Sequence, residues 1–186
     1  MSLEPSAGGV SLRPSTSSEK APLHTSSDSS DRLAQAEAFA EAVEESLEQD
    51  LCRERALVPR VLGDAAHHLV FAGKAKRARP RLVWLFGEAV GAEKNDLVDV
   101  AVTSELMHSA SLLHDDVVDE GTVRRGKATA NARWGNSVAV LSGDLALTTA
   151  FGRLRRHAPI LTHKAVDVVH EMTRGAMLEV ESRGRA

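Results

Sequence analysis

The distribution of apolar and polar positions changes character near residue 30. Residues 1–30 are rich in Ser, Pro and Gly with few large apolar side chains. Such a segment cannot bury enough surface to offset its ordering entropy, so it is expected to be a disordered tail ahead of a domain spanning 31–186. From Asp31, a candidate N-cap, residues 32–51 (RLAQAEAFAEAVEESLEQDL) are dominated by Ala, Glu and Leu and predict a first helix. A second pattern runs through 58–73, VPRVLGDAAHHLVFAG. Pro80 suits the first turn of a third helix over 80–91, which Gly91 ends. Asn95 or Asp96 caps a fourth over 97–120, stopped by Gly121, and two further helical stretches cover 137–157 and 159–182. Alternating strand patterns and Asn-Gly hairpins are missing, which predicts an all-α class.

Most of the fourth helix is apolar, which implies burial on several sides. One line on it differs. Ser104, His108, Ser111, Asp115 and Asp119 recur at steps of 4, 3, 4 and 4, the spacing that holds residues on one helical face. With Asp116 and Glu120, four acidic side chains then crowd the C-terminal end of that helix, where the backbone dipole also opposes negative charge. A cation is therefore required nearby.

Two sources of that cation stand open from the residues alone. The acidic cluster is a solvated helix end neutralised by Arg124 and Arg125, just past Gly121. Alternatively, the i, i+4 carboxylates of Asp115 and Asp119 converge on one ion. The donors on offer are oxygens only, which suits Mg²⁺, an ion that keeps several waters and joins one or two carboxylates to substrate phosphates. Cationic donors for phosphate stand upstream in GKAKRARPRL (Lys74, Lys76, Arg77, Arg79, Arg81) and downstream at Arg124, Arg125 and Lys127.

Composition narrows the picture further. The chain has 186 residues, enough for one domain, and 42% hydrophobic residues supply a core. A formal net charge of −3 gives no argument for nucleic acid as a partner. The single cysteine, Cys52, excludes an internal disulfide framework and a thiolate-rich zinc site and fits a reducing compartment. No apolar run reaches the roughly 20 residues needed to cross a bilayer, and no signal-peptide hydrophobic region opens the chain, so a cytoplasmic protein is expected. His67, His68, His114, His157, His163 and His170 lack zinc-ligand spacing and are expected to be structural or exposed, with His114 a candidate to orient Asp115.

The combination KRARP at 76–80, HSASLLHDDVVDEGTVRRGKATANARWGN at 108–136 and LSGDLALTTAF at 141–151 resembles the trans-prenyltransferases, the polyprenyl diphosphate synthases, most closely long-chain bacterial members. The similarity runs over about 65–155. A lone Asp-rich pentapeptide is weak evidence, whereas the basic motif, His, DDxxD and Arg pair in this order are specific. The resemblance implies the N-terminal part of the isoprenoid synthase helical bundle. It also implies condensation of isopentenyl diphosphate with an allylic prenyl diphosphate into a polyprenyl diphosphate, geranylgeranyl or longer. By the same resemblance, Asp115, Asp119 and Asp116 hold Mg²⁺ against the allylic diphosphate, which Arg124 also binds. Lys76, Arg79, His108 and Arg125 match positions that grip isopentenyl diphosphate. Growing charge on departing diphosphate would be stabilised by the ion and arginines, and released diphosphate would take the final proton, so His108 is assigned binding rather than catalysis. Ala110 and Ser111 stand where aromatic residues cap the pocket of short-chain members. Both are small, so the chain should pass toward Met107. A homodimer or a complementary subunit is the implied partner.

The chain also departs from that pattern. It has no second Asp-rich motif, and full-length members run to about twice its ordered length, which gives the expectation of an N-terminal half. Lys74 and Ala75 replace two glycines, and Gly175, Ala176 and Glu179 replace a Gly-Glu pair followed by Gln. A noncatalytic diphosphate-binding subunit or remnant that pairs with a complementary or full-length synthase is therefore the alternative to an enzyme. A terpene cyclase, which shares the Asp-rich motif, has no need of the KRARP and Arg125 set.

Overall fold

The computed structural model describes residues 26–71 and 76–183. Seven helices lie among them: α1 (Ser26–Leu57), α2 (Arg60–Val70), α3 (Ala78–Val90), α4 (Lys94–Val118), α5 (Ala130–Trp134), α6 (Asn136–Leu154) and α7 (Pro159–Arg183). A two-residue hairpin, β1 (Val123–Arg124) paired with β2 (Lys127–Ala128), is the departure from an otherwise helical chain. The all-α expectation therefore holds, with this hairpin as the correction.

Element boundaries follow the sequence closely, with informative shifts. Helix α1 begins at Ser26, so residues 26–30 of the expected tail are helical. Extending a formed helix by a turn costs far less than nucleating one, and Ser and Asp are tolerated in a first turn. The rest of that tail, and Lys74, lie outside the described residues. Pro80 does occupy the first turn of α3, and Gly91 stops it in the left-handed conformation at φ 68°. Neither Asn95 nor Asp96 caps α4. Glu93 holds the cap position in an extended conformation and makes no side-chain cap hydrogen bond, so α4 starts at Lys94, earlier than expected. At its other end α4 closes at Asp119 rather than continuing to Gly121.

Helix α4 is the axis of the fold. Its buried residues face α1, α2, α3 and α6 in two apolar clusters. The larger joins Phe39, Val43, Leu47 and Leu51, spaced four apart along α1, to Val70 of α2 and to Leu97, Ala101, Val102 and Leu106 of α4. Each such large apolar side chain removed from water contributes roughly 1.5–3 kcal/mol, which anchors α1 along α4. The smaller cluster packs Leu113 of α4 against Ala65, Leu69, Ala130 and Ala139. Backbones approach closely where glycine permits. A Cβ added at Gly87 would meet Leu97 Cδ2 at 2.3 Å, and one at Gly143 would meet His114 Nε2 at 2.3 Å. Helix α7 differs from the others: it contributes no fully buried residue, and Val168, Met172, Met177 and Leu178 are exposed along it. No helix among the described residues is long and apolar enough to cross a membrane.

Candidate functional site

The polar line of α4 forms as the spacing requires. Its serines are satisfied within the helix: Ser104 Oγ donates to the Ala101 carbonyl and Ser111 Oγ to that of His108, each at 2.8 Å. The acidic residues at its end divide into three environments. Asp116 is buried, at 3% exposure. Asp115 is half-buried, and Asp119, at the helix cap, is open to solvent.

Asp116 finds its cation inside the chain. Arg124 donates from Nε and Nη2 to the same oxygen, Asp116 Oδ1, both at 2.8 Å. The hairpin makes this possible. Arg125 and Gly126 join the strands at φ 51° and 75°, a two-residue turn with both residues left-handed, which returns the chain so that Arg124 points back at α4. Asn131 Nδ2 donates to the carbonyls of Asp116 (3.0 Å) and Gly121 (2.9 Å), and Thr129 Oγ1 to Gly121 (2.8 Å), tying the loop to the helix end. The second Asp116 oxygen, Oδ2, is buried without a hydrogen-bond partner. Of the two sources of positive charge that the sequence leaves open, Arg124 is thus the one that meets Asp116, which is the buried one of the four carboxylates.

Asp119 is engaged as well. Arg183, at the end of α7, donates from Nη1 to Asp119 Oδ1 at 2.7 Å and is bound from its other side by Glu179. Among the described residues, neither the half-buried Asp115 nor the exposed Glu120 has such a partner. Burial, and then the neighbouring negative charge of Asp119, push the Asp115 carboxyl above the usual range, with Arg124 opposing.

The basic residues separate in the same way. Arg77, counted among the phosphate donors by its sequence, is consumed structurally: only 10% exposed and left-handed at φ 45°, it donates to Glu44 (2.5 and 3.0 Å) and to the buried Glu105 (2.8 Å). Arg79, two residues on, is exposed and free of that duty, as is Lys76 on the other side. Burial holds the His108 imidazole below its ordinary value, and the positive charges of Arg79, Arg125 and Arg124 add to the shift. Arg79, His108 and Arg125 therefore share one electrostatic environment, although they come from three separate elements.

Below the acidic end lies a cleft of about 880 Å³ between α4 and α7. Asp115 lines its rim, with Ser111, Ala110 and Met107 along the wall. Met107 also lines a second, smaller and more apolar cleft of about 350 Å³ that holds Arg79, Ser104 and His108. The structure thus places a carboxylate, two small residues and a methionine in descending order along one wall.

Does this arrangement fit a divalent ion? Among the described residues no three His, Cys, Asp or Glu side chains form a metal-binding group. A complete protein cage is therefore not built. What is present fits an ion that draws part of its shell from phosphate and water: oxygen donors only, an Asp115 carboxyl made costly by burial and by Asp119, and the unpartnered Asp116 Oδ2.

Several participants were not legible in the sequence. Arg183 gave no signal, because its meeting with Asp119 spans 64 positions. Glu105 and Glu44 could have been suspected as partners of a basic motif only with the packing of α1 on α4 known. His114 does not orient Asp115: its Nε2 lies 3.1 Å from the Val140 carbonyl and 3.4 Å from Asp144 Oδ1, against α6, in the space that Gly143 leaves open. His67 meets Glu48 at 3.0 Å and His157 meets Asp99 at 2.8 Å, so these two do serve structural pairs.

Residues 59–186 match the family described as Polyprenyl synthetase. Octaprenyl diphosphate synthase of Escherichia coli is 51% identical over 84 residues, covering 45% of this chain and 26% of that protein. Heptaprenyl diphosphate synthase component 2 of Geobacillus stearothermophilus is 35% identical over 145 residues, covering 77% of this chain and 44% of that one. A crystal structure of polyprenyl synthase from Caulobacter crescentus, complexed with calcium and isoprenyl diphosphate, superposes with a TM-score of 0.69 at 30% identity, over 78% of this chain and 43% of that one. The chain spans less than half the length of each of these proteins.

Proposed function

Because the chain belongs to the polyprenyl synthetase family, we propose that it supplies the first Asp-rich half of a prenyltransferase site that joins isopentenyl diphosphate to an allylic prenyl diphosphate. One observation carries this reading: Asp115 stands at the rim of a cleft whose wall runs through Ser111 and Ala110 to Met107. An anionic head held at the rim and an apolar tail along the wall match a prenyl diphosphate. The Caulobacter relative, whose structure holds calcium and isoprenyl diphosphate, supports the same ligand class.

Asp115 and Asp119 would hold Mg²⁺ at the rim. When bound, that ion would offset charge growing on the departing diphosphate. The residues of the chain do the remaining work. Arg124 pairs with Asp116 and holds it in place, which fixes the geometry of the loop that follows the acidic motif. Through its exposed third it is also available to diphosphate oxygens. Arg79, Arg125 and Lys76 surround the second diphosphate as fixed positive charge, and neutral His108 donates one hydrogen bond to it. Both substrates are thereby held side by side in a cleft walled by apolar side chains, so that coupling outruns capture by water. Small side chains at Ala110 and Ser111 leave the way open to Met107, and the product extends beyond farnesyl.

A second reading is favoured by α7. It contributes no buried residue and leaves Val168, Met172, Met177 and Leu178 exposed, three of them along the two clefts, and the Geobacillus relative bears the name of one component of a synthase. On this reading the chain binds diphosphate and pairs with a complementary chain that completes the site. Labelled isopentenyl diphosphate, an allylic primer and Mg²⁺, supplied to the chain alone and with the C-terminal half of a relative, separate the two. Product from the chain alone supports autonomous catalysis. Product only in the mixture supports pairing. No product in either, with no prenyl diphosphate bound, removes both.

A further inference from the structure

We propose that Arg183 is a resident cation of the acidic site, which occupies Asp119 and must be displaced before a divalent ion can load there. This rests on the reading that Asp119 is an ion ligand, and it adds a positioning residue that the sequence pattern did not assign. The geometry is specific. Arg183 Nη1 donates to Asp119 Oδ1 at 2.7 Å, while Nη2 is held by Glu179 one turn earlier on α7. One guanidinium therefore bridges carboxylates from α4 and α7. Both neighbours hold the Arg183 charge firmly on, Asp119 first and Glu179 second.

The arrangement has two consequences. Asp119 and Glu179 are half exposed, at 48% and 62%, so the bridge is open to solvent and exchangeable rather than locked. Glu179 lines the same cleft as Asp115. When Arg183 swings away from Asp119, the ion pair that ties the end of α7 to α4 is lost, so loading of the ion and loosening of the end of α7 are one event. The chain thus regulates its metal affinity by an internal competitor of the same charge sign.

Direct binding of Mn²⁺ to the full chain, followed by electron paramagnetic resonance, tests this without any turnover. Arg183→Ala should tighten Mn²⁺ binding by about two- to fivefold, the range set by an exposed ion pair. Arg174→Ala removes the same charge from an arginine on the same helix that pairs with Glu171 instead, and should leave the affinity within error. In an Asp119→Asn background, Arg183→Ala should have no further effect, because the two side chains act as a pair. Equal tightening by Arg174→Ala and Arg183→Ala, or an Arg183 effect that persists in Asp119→Asn, would overturn the competitor. A wild-type chain that binds no Mn²⁺ at millimolar concentration would instead overturn the metal reading itself.

Discussion

Removing Arg124 should expose how the acidic motif is held together. Asp116 is 3% exposed, and Arg124 Nε and Nη2 both reach its Oδ1 at 2.8 Å. Breaking a fully buried pair by deleting one partner costs about 3–5 kcal/mol, because a charge is left dry and alone. Arg124 is itself 32% exposed, so water can enter the vacated position and repay part of that loss. Arg124→Gln should therefore destabilise the chain by about 2 kcal/mol, close to the cost of an unsatisfied buried acceptor. In urea denaturation followed by circular dichroism, that corresponds to a midpoint lower by about 1 M, taking a slope of about 2 kcal/mol/M. Asp116→Asn removes the charge that needs compensation, so Asp116→Asn with Arg124→Gln should recover most of what Arg124→Gln alone loses. An Arg124→Gln midpoint within 0.2 M of wild type would show that Arg124 does not neutralise Asp116 in solution, and the assignment of Asp116 to the loop's architecture would fail.

Other expectations follow from the same contacts. Gly143→Ala would drive a Cβ to 2.3 Å from His114 Nε2 and should cost about 1–3 kcal/mol; His114→Ala in the same chain should restore much of it in thermal melts. Ala110→Phe should fill the cleft wall, so prenyl diphosphates with long tails should lose more affinity than short ones in competition binding. The His108 imidazole should titrate below 6.5 by NMR, because burial and then Arg79 disfavour its charge. Its folded pKa is depressed, so the fold binds fewer protons there than the unfolded chain, and His108 lowers stability as pH falls from 6.5 through that value. Isopentenyl diphosphate should move the midpoint back up. Asp115 runs the other way: its raised carboxyl means that Mn²⁺ affinity should begin to fall at a pH above 3.8, and Asp115→Asn should abolish that limb.

Six of the seven helices among the described residues, and the acidic stripe, were readable from the sequence because both depend on local spacing; the short α5 (Ala130–Trp134) was not. Gly91 ended α3, Pro80 opened it, and a line of residues three and four apart on α4 carried Asp115 to the cleft. The hairpin was missed because Arg125 takes a left-handed conformation normally reserved for Gly, Asn or Asp. Arg77 was read as a phosphate donor because charge alone is visible in sequence, whereas its burial between Glu44 and Glu105 depends on how α1 lies against α4. The same limit hid Arg183 and sent His114 to the wrong neighbour. Residue type announced which groups need partners; tertiary packing decided which partners they received.

On the proposed function, the Asp115 and Asp119 face holds a prenyl diphosphate through a divalent ion. Titration calorimetry of the full chain with geranylgeranyl diphosphate, with and without Mg²⁺, reads that binding without turnover. Binding should require Mg²⁺ and be lost in Asp115→Asn with Asp119→Asn. Binding of equal strength without the ion, or unchanged in that double variant, would contradict it.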